Sequence, residues 1–155
     1  MVLRSSGVDN ARMTNGGPVQ IRLAGFPAAL ADAARAAPQE SPAPGEWTPI
    51  EIVRHLIAVE EEVWHARIGQ LQTEEHPRWR WVEPGQWLGA PAAGLEDVLA
   101  MHARVRAATL ALLDDLGPDG WTRTGTHDTY GVLDVAGLMT VAADHDGEHL
   151  ASLLR

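Results

Sequence analysis

The last fifteen residues of the chain hold the side chains whose types and spacing best suit a chemical role. His145 and His149 lie four positions apart in a helical pattern that continues toward the C-terminus. Residues at positions i and i+4 share one face of a helix and lie one turn apart. Both imidazoles can therefore reach one metal ion. The pair also shares a stripe with Leu138, Ala142 and Leu153, which is expected to face the core.

His55 is the third candidate ligand, because it holds a similar inward position on another predicted helix. A neutral imidazole is a good ligand for zinc, nickel, iron or copper near neutral pH. Three imidazoles leave at least one coordination position for water or substrate, which is the arrangement of a catalytic metal site. The three residues His55, His145 and His149 therefore predict such a site.

A structural role for these histidines is the alternative. An inward histidine is often a hydrogen-bonded core residue, and pairs at i and i+4 arise by chance. His102 is predicted to pack in the core or at its boundary. His65 and His76 lack a ligand partner at useful spacing and are predicted to lie at the surface.

Helical periodicity predicts the elements that must position these residues. Apolar residues recur at helical spacing in four segments, at about 19–36, 49–71, 95–116 and 133–154. The second segment opens with a capping box formed by Thr48 and Glu51, with Pro49 at the first helical position. The acidic residues Glu60, Glu61 and Glu62 are predicted to face mostly away from the core. These segments predict an all-α fold, a four-helix bundle.

The positions of the histidines restrict the topology of the bundle. His55 lies near the start of helix two, whereas His145 and His149 lie near the end of helix four. If helices two and four were parallel, these residues would be roughly 15 Å apart. A shared metal therefore requires helices two and four to be antiparallel, so one connection must cross the whole bundle. The long segment 73–93 between helices two and three is the predicted crossover.

Length and composition limit the classes of function. The 155 residues suit a single domain, predicted at 18–155 after a flexible leader at 1–17. A net charge of −9 disfavours binding to nucleic acids and anionic membranes. The absence of cysteine excludes disulfides, thiolate ligands and a cysteine nucleophile. No apolar run could span a bilayer and no secretory signal is evident, so a cytoplasmic protein is predicted.

Taken together, these motifs resemble the DinB-like superfamily of metal-binding four-helix bundles. The resemblance extends over about residues 19–155, nearly the whole chain. The matching elements are Trp47-Thr48-Pro49, His55-Leu56 followed by Glu60, the stretch from Trp121 to His127, and His145-Asp146 with His149-Leu150.

The resemblance implies a divalent metal held by His55, His145 and His149. Zinc and nickel are the metals expected first, with iron and manganese as alternatives. The family fold also has a long crossover between helices two and three, and homodimers are common in it. Some members resemble transferases that use a low-molecular-weight thiol, such as mycothiol-dependent maleylpyruvate isomerases and bacillithiol transferases. A small-molecule substrate and a thiol cofactor are therefore expected, whereas nucleic-acid and membrane partners are not.

Two classes of function remain open from the sequence. The first is a metal-dependent enzyme, a thiol transferase or hydrolase, since a bound metal lowers the pKa of a bound water or thiol. Its candidate general bases are Glu62, Asp146 and Glu148. The second is a non-catalytic protein with a structural or vestigial metal, which binds a small molecule or partner through its tryptophans. The tryptophans considered are Trp64, Trp79, Trp81 and Trp87, of which at least two are expected to fill the core.

Overall fold

The computed structural model describes residues 16–155, so all but the end of the predicted leader lies outside the described residues. The described part of the chain is mostly helical. Its helices are α1 (Gly17–Ala36), α2 (Pro49–Val59), α3 (Ala66–Thr73), α4 (Leu95–Asp115), α5 (Pro118–Thr122) and α6 (Val135–Leu153). A π-helical segment, Glu60–His65, joins α2 to α3, so residues 49–73 form one continuous long helix.

The long helix begins at the capping box predicted from the sequence. The Thr48 hydroxyl accepts the Glu51 amide at 3.4 Å, and the Glu51 carboxylate accepts the Thr48 amide at 2.7 Å. Pro49 occupies the first helical position, where no amide hydrogen is needed. This start places His55 in the second turn of the helix.

Four long helices form the bundle: α1, the long helix, α4 and α6. Helix α1 runs antiparallel to α4, because Gln20 contacts Asp114 at one end and Arg35 contacts Glu96 at the other. The long helix runs parallel to α4. His65 is hydrogen-bonded to Thr109, and Glu60, five residues before His65, is bound to Arg106, three residues before Thr109. Because these two helices follow one another in the sequence and run parallel, the chain between them must cross the length of the bundle.

The long helix and α6 are antiparallel, as the histidine positions predicted. The rings of His55 and His149 lie 4.9 Å apart, whereas the Trp64 ring, further along the long helix, lies 6.3 Å from the earlier His145. The four-helix bundle and its topology are therefore confirmed.

The crossover begins with one strand of a small sheet that the sequence did not predict. Strand β1 (Arg78–Trp79) pairs in parallel with β2 (Gly125–His127), which pairs antiparallel with β3 (Gly131–Leu133). A Cβ added at Gly125 would lie 2.6 Å from the Trp79 ring and 2.8 Å from the Pro77 carbonyl oxygen. Glycine therefore permits the close approach of the two strands.

The second half of the crossover is fastened to α2 by Arg54. Its guanidinium donates to the carbonyl oxygens of Trp87, Gly89 and Ala90 at 3.1, 2.9 and 2.8 Å. The Trp87 amide in turn donates to the Arg54 carbonyl at 2.9 Å. Because the crossover covers the face of α2 that would otherwise meet solvent, every residue from Ile52 to Val59 is buried.

The tryptophans divide between core and surface. Trp64, Trp79 and Trp121 are buried, so the expectation that at least two of the four candidates fill the core is confirmed. Trp81 is half exposed, and Trp47 and Trp87 pack at the edge of the core. Within residues 16–155, no helix has the length and apolarity needed to cross a membrane.

Candidate metal centre

The structure brings His55, His145 and His149 together between α2 and α6. One possible ligand atom from each residue lies within 4.8 Å of the others. The Nε2 atoms of His145 and His149 are 3.2 Å apart. This spacing follows from the helical repeat, which puts both rings on one face. That the three residues hold a metal remains a prediction.

The orientation of His55 leaves one ring nitrogen available as a ligand. Its Nδ1–H donates to the Gly85 carbonyl oxygen at 3.1 Å, so in the neutral ring the lone pair is on Nε2. His55 Nε2 is buried and has no hydrogen-bond partner in the described part of the chain. The Trp47 ring lies against the His55 ring, with centroids 4.7 Å apart. A hydrogen bond to the second nitrogen is the usual way in which proteins orient a metal-binding histidine.

The other two imidazoles are neutral at pH 7. Burial lowers the pKa of His145 to about 4, and the nearby His55 acts in the same direction. Burial also lowers the pKa of His149 to about 4, with His145 and then His55 adding to the effect. Neutral rings keep a lone pair for a cation. The donor set therefore fits a divalent metal that accepts nitrogen ligands, such as zinc or nickel.

A cavity of about 460 Å³ adjoins the histidine cluster at one end of the bundle. His149 forms part of its wall, next to Leu153, and Trp47 and Ile52 contribute from the other side. The wall is mostly apolar and holds three charged side chains, those of Glu40, Glu46 and Arg155. Its size suits a small organic molecule, which would reach the histidines from this side.

Comparison with known proteins identifies the family. A sequence model of the DinB superfamily matches residues 21–153. The chain belongs to the DinB superfamily. No curated protein matches it. Among solved structures, this DinB-superfamily bundle is similar to YfiT from Bacillus subtilis, described as "a probable metal-dependent hydrolase with an unusual four-helix bundle topology". The likeness covers 99% of this chain and 89% of that chain, with a TM-score of 0.68 and 19% identity, and it supports the shared fold.

A buried charge cluster lies beside the metal-ligand candidates. The Arg106 guanidinium donates to both carboxylate oxygens of Glu60, at 2.8 and 2.9 Å, and to Asp146 at 2.9 Å. A further bond runs to the Leu23 carbonyl oxygen at 3.1 Å. Arg106 therefore links α4 to α1, the long helix and α6. Because Asp146 is adjacent to His145, this cluster also fixes the helix that carries two of the candidate ligands.

Burial of Glu60 corrects a prediction from the sequence. Glu60 was expected to face mostly away from the core, but its side chain is 2% exposed. The side chain points into the bundle, where Arg106 and Thr109 of α4 meet it. Burial raises its pKa, but Arg106 and the Thr109 hydroxyl outweigh this, so the net shift is downward. The one sequence feature that pointed to a partner for Glu60 was Arg106, an arginine within the inward stripe of α4.

The predicted general bases are not gathered at the histidines. Asp146 is bound to Arg106, and burial raises its pKa to about 7 against the opposing charge of Arg106. Glu62 and Glu148 are exposed. Glu83, which the sequence did not single out, instead places Oε1 3.5 Å from His55 Nε2. Its position in an irregular segment left no periodic signal by which it could have been found.

The remaining histidines have structural surroundings. His102 is buried against Phe26, with ring centroids 5.7 Å apart, which confirms its predicted core packing. His76 is exposed, as predicted. His65 was expected at the surface, but it is half-buried, and its Nε2 is hydrogen-bonded to the Thr109 hydroxyl at 2.7 Å.

Acidification is expected to destabilise the protein through His102. Burial, with the nearby Arg106 charge, lowers its pKa from 6.5 to about 4. Between these values the unfolded chain binds more protons, so stability falls as the pH falls below about 6.5. Between pH 7.5 and pH 4.5, the unfolding free energy of wild type should fall by about 2–3 kcal/mol more than that of His102→Leu. Urea titrations of both proteins across this pH range measure the difference. If the unfolding free energies of wild type and His102→Leu changed with pH in parallel, the prediction would be wrong.

Proposed function

We propose that this protein is a divalent-metal-dependent hydrolase of small organic molecules, with His55, His145 and His149 as its metal ligands. The observation that carries the proposal is the convergence of three imidazoles on one point beside a cavity of about 460 Å³. A site with three protein ligands retains a coordination position for chemistry. The printed description of YfiT, a protein of the same fold, supports the hydrolase assignment.

The chain supplies orientation and enclosure around the site. Gly85 orients the His55 ring, and Trp47 packs against its face and shields it from solvent. Asp146, bound to Arg106, holds α6 in the position at which His145 and His149 meet His55. A bound divalent ion would polarise a substrate carbonyl and lower the pKa of a water or thiol.

The cavity suggests the type of substrate. Its walls near Trp47, Ile52 and Leu153 are apolar and would contact a hydrocarbon or aromatic group. On the same wall, Arg155 would pair with an anionic group of the molecule, and Glu40 or Glu46 with a cationic one. An ester or amide joining such groups would place its carbonyl toward His149.

Turnover by metal-reconstituted protein tests this function. Protein treated with a chelator and reloaded with Zn²⁺, Ni²⁺ or Mn²⁺ would be assayed on p-nitrophenyl esters and p-nitroanilides of aromatic acids. Metal-dependent hydrolysis is expected in wild type and in His76→Ala, and its loss in His149→Ala.

Two other results would direct the assignment elsewhere. Product formation that requires added cysteine or glutathione, with transfer of the thiol, would favour a thiol transferase. Tight metal binding without turnover on any substrate, combined with loss of stability on chelation, would favour a non-catalytic protein with a structural metal.

A further inference from the structure

We propose that Glu83 is a fourth protein ligand of the metal site, supplied by the crossover; this inference rests on the three-histidine site of the proposed function. The Glu83 Oε1 atom lies 3.5 Å from Nε2 of the buried His55. The side chain is 55% exposed, so its carboxylate lies at the solvent side of the cluster. Carboxylate oxygen is a common partner of imidazole in metal sites.

The hydrogen-bond roles of the two groups support a shared cation. His55 donates through Nδ1 to the Gly85 carbonyl oxygen, so its Nε2 presents a lone pair. An ionised carboxylate also only accepts hydrogen bonds. When the His55 ring is neutral, two acceptors therefore face each other across 3.5 Å. This arrangement becomes favourable when a positive charge lies between them, either a proton on Nε2 or a metal ion.

The spacing of the donor atoms agrees with a common metal. In a tetrahedral site with bonds of about 2.0–2.1 Å, neighbouring ligand atoms are about 3.3 Å apart. The distance from Glu83 Oε1 to His55 Nε2 is 3.5 Å, and the distance between the Nε2 atoms of His145 and His149 is 3.2 Å. Each pair is therefore close to the separation of neighbouring ligands on one ion. The ligand atoms that already lie within 4.8 Å of one another are those of His55, His145 and His149, so the exposed Glu83 side chain must rotate toward His145 and His149 to complete the site.

One short segment of the crossover sets the position of the Glu83 backbone. The Gly85 carbonyl holds one nitrogen of the His55 ring, and Glu83, two residues earlier, reaches the other nitrogen. Pro84 between them is buried and has a fixed φ angle. Arg54 fastens the following residues to α2. The same contacts that orient His55 therefore hold the Glu83 backbone beside it.

Exposure makes Glu83 the ligand that a substrate can displace. The three histidines are held by buried surroundings on rigid helices, whereas the Glu83 side chain is free to rotate into solvent. A site with four protein ligands is closed, and catalysis needs an open position. Displacement of Glu83 by an incoming carbonyl or carboxylate group would open the position that substrate then occupies.

Metal titrations of matched variants test the proposal. Glu83→Gln removes the charge and preserves the shape, and Glu148→Gln makes the same change at an exposed residue next to His149. In competition with a chromophoric chelator, Glu83→Gln is expected to bind Zn²⁺ about 10- to 100-fold more weakly than wild type. Glu148→Gln is expected to stay within about 3-fold. The visible spectrum of the Co²⁺-loaded protein should change in Glu83→Gln alone.

The outcomes separate this proposal from the three-histidine site. Wild-type affinity and an unchanged Co²⁺ spectrum in Glu83→Gln would overturn the role of Glu83 while leaving the histidine ligands intact. Equal weakening in both variants, with unchanged spectra, would also overturn it, because general electrostatic attraction would then explain the loss. Failure of wild type to bind Zn²⁺ or Co²⁺ would overturn the proposed function together with this inference.

Discussion

Replacing His145 with alanine is expected to weaken Zn²⁺ binding by roughly 100-fold or more. Loss of a group that merely orients a metal ligand costs about 10- to 100-fold in affinity, and removal of a ligand should cost at least as much. Without His145, two nitrogen ligands would remain, His149 on α6 and His55 on the long helix. Chelator-competition titration of the purified protein measures this affinity directly.

Metal-dependent stability provides a second measure of the same change. A ligand at 100 times its Kd stabilises the folded state by about 2.7 kcal/mol when it does not bind the unfolded chain. Wild type should show this gain in urea titrations with Zn²⁺, whereas His145→Ala at the same concentration should show little. His76→Ala is the control, because that exposed ring contacts Thr124 and Thr126 away from the cluster. Equal affinity in both variants would refute His145 as a ligand.

The sequence predicted those features that repeat or that have a local chemical signature. The helices were predictable because apolar residues recur with the helical period, and the start of α2 because Thr48 and Glu51 form a capping box. The histidine pair was predictable because four residues make about one helical turn. The topology followed from His55, since a shared site requires α2 and α6 to be antiparallel.

Features that depend on tertiary contacts could not be predicted in this way. Glu60 looked like part of an exposed acidic run, because nothing in its neighbourhood shows that Arg106 of α4 meets it inside the bundle. Strands of two or three residues are too short to show alternation, so the sheet containing Gly125 left no pattern. Glu83 lies in an irregular segment, and its proximity to His55 depends on how Arg54 fastens the crossover.

Replacing Arg106 with methionine is expected to destabilise the fold by about 3–5 kcal/mol at neutral pH. Arg106 is 1% exposed and is bound to two buried carboxylates, Glu60 and Asp146. Methionine fills much of the volume but leaves both acidic groups without a positive partner. Removing one partner of a buried ion pair costs far more than the intact pair contributes to stability, because the remaining charge stays buried without a partner.

Urea titration of Arg106→Met at pH 7.5 measures the loss, with Arg35→Met as the matched control. Arg35 forms a comparable bidentate pair with Glu96, at 2.8 and 2.7 Å, but both side chains are exposed. Its removal is expected to leave the unfolding midpoint almost unchanged. Similar midpoints for the two arginine variants would contradict a desolvated cluster. Arg106→Lys, which keeps the charge, provides a milder variant that should fold in either case.

A variant that makes the whole cluster apolar separates the two roles of Arg106. Combining Arg106→Met with Glu60→Met and Asp146→Leu removes every charge, so much of the stability should return. If the cluster served stability alone, the triple variant would also recover the Zn²⁺ affinity of wild type. Since Asp146 adjoins His145 and ties α6 to the other helices, we expect the refolded triple variant to bind Zn²⁺ more weakly than wild type. The polar cluster would then be retained because it orients the metal ligands, a role that an apolar core of equal stability does not fulfil.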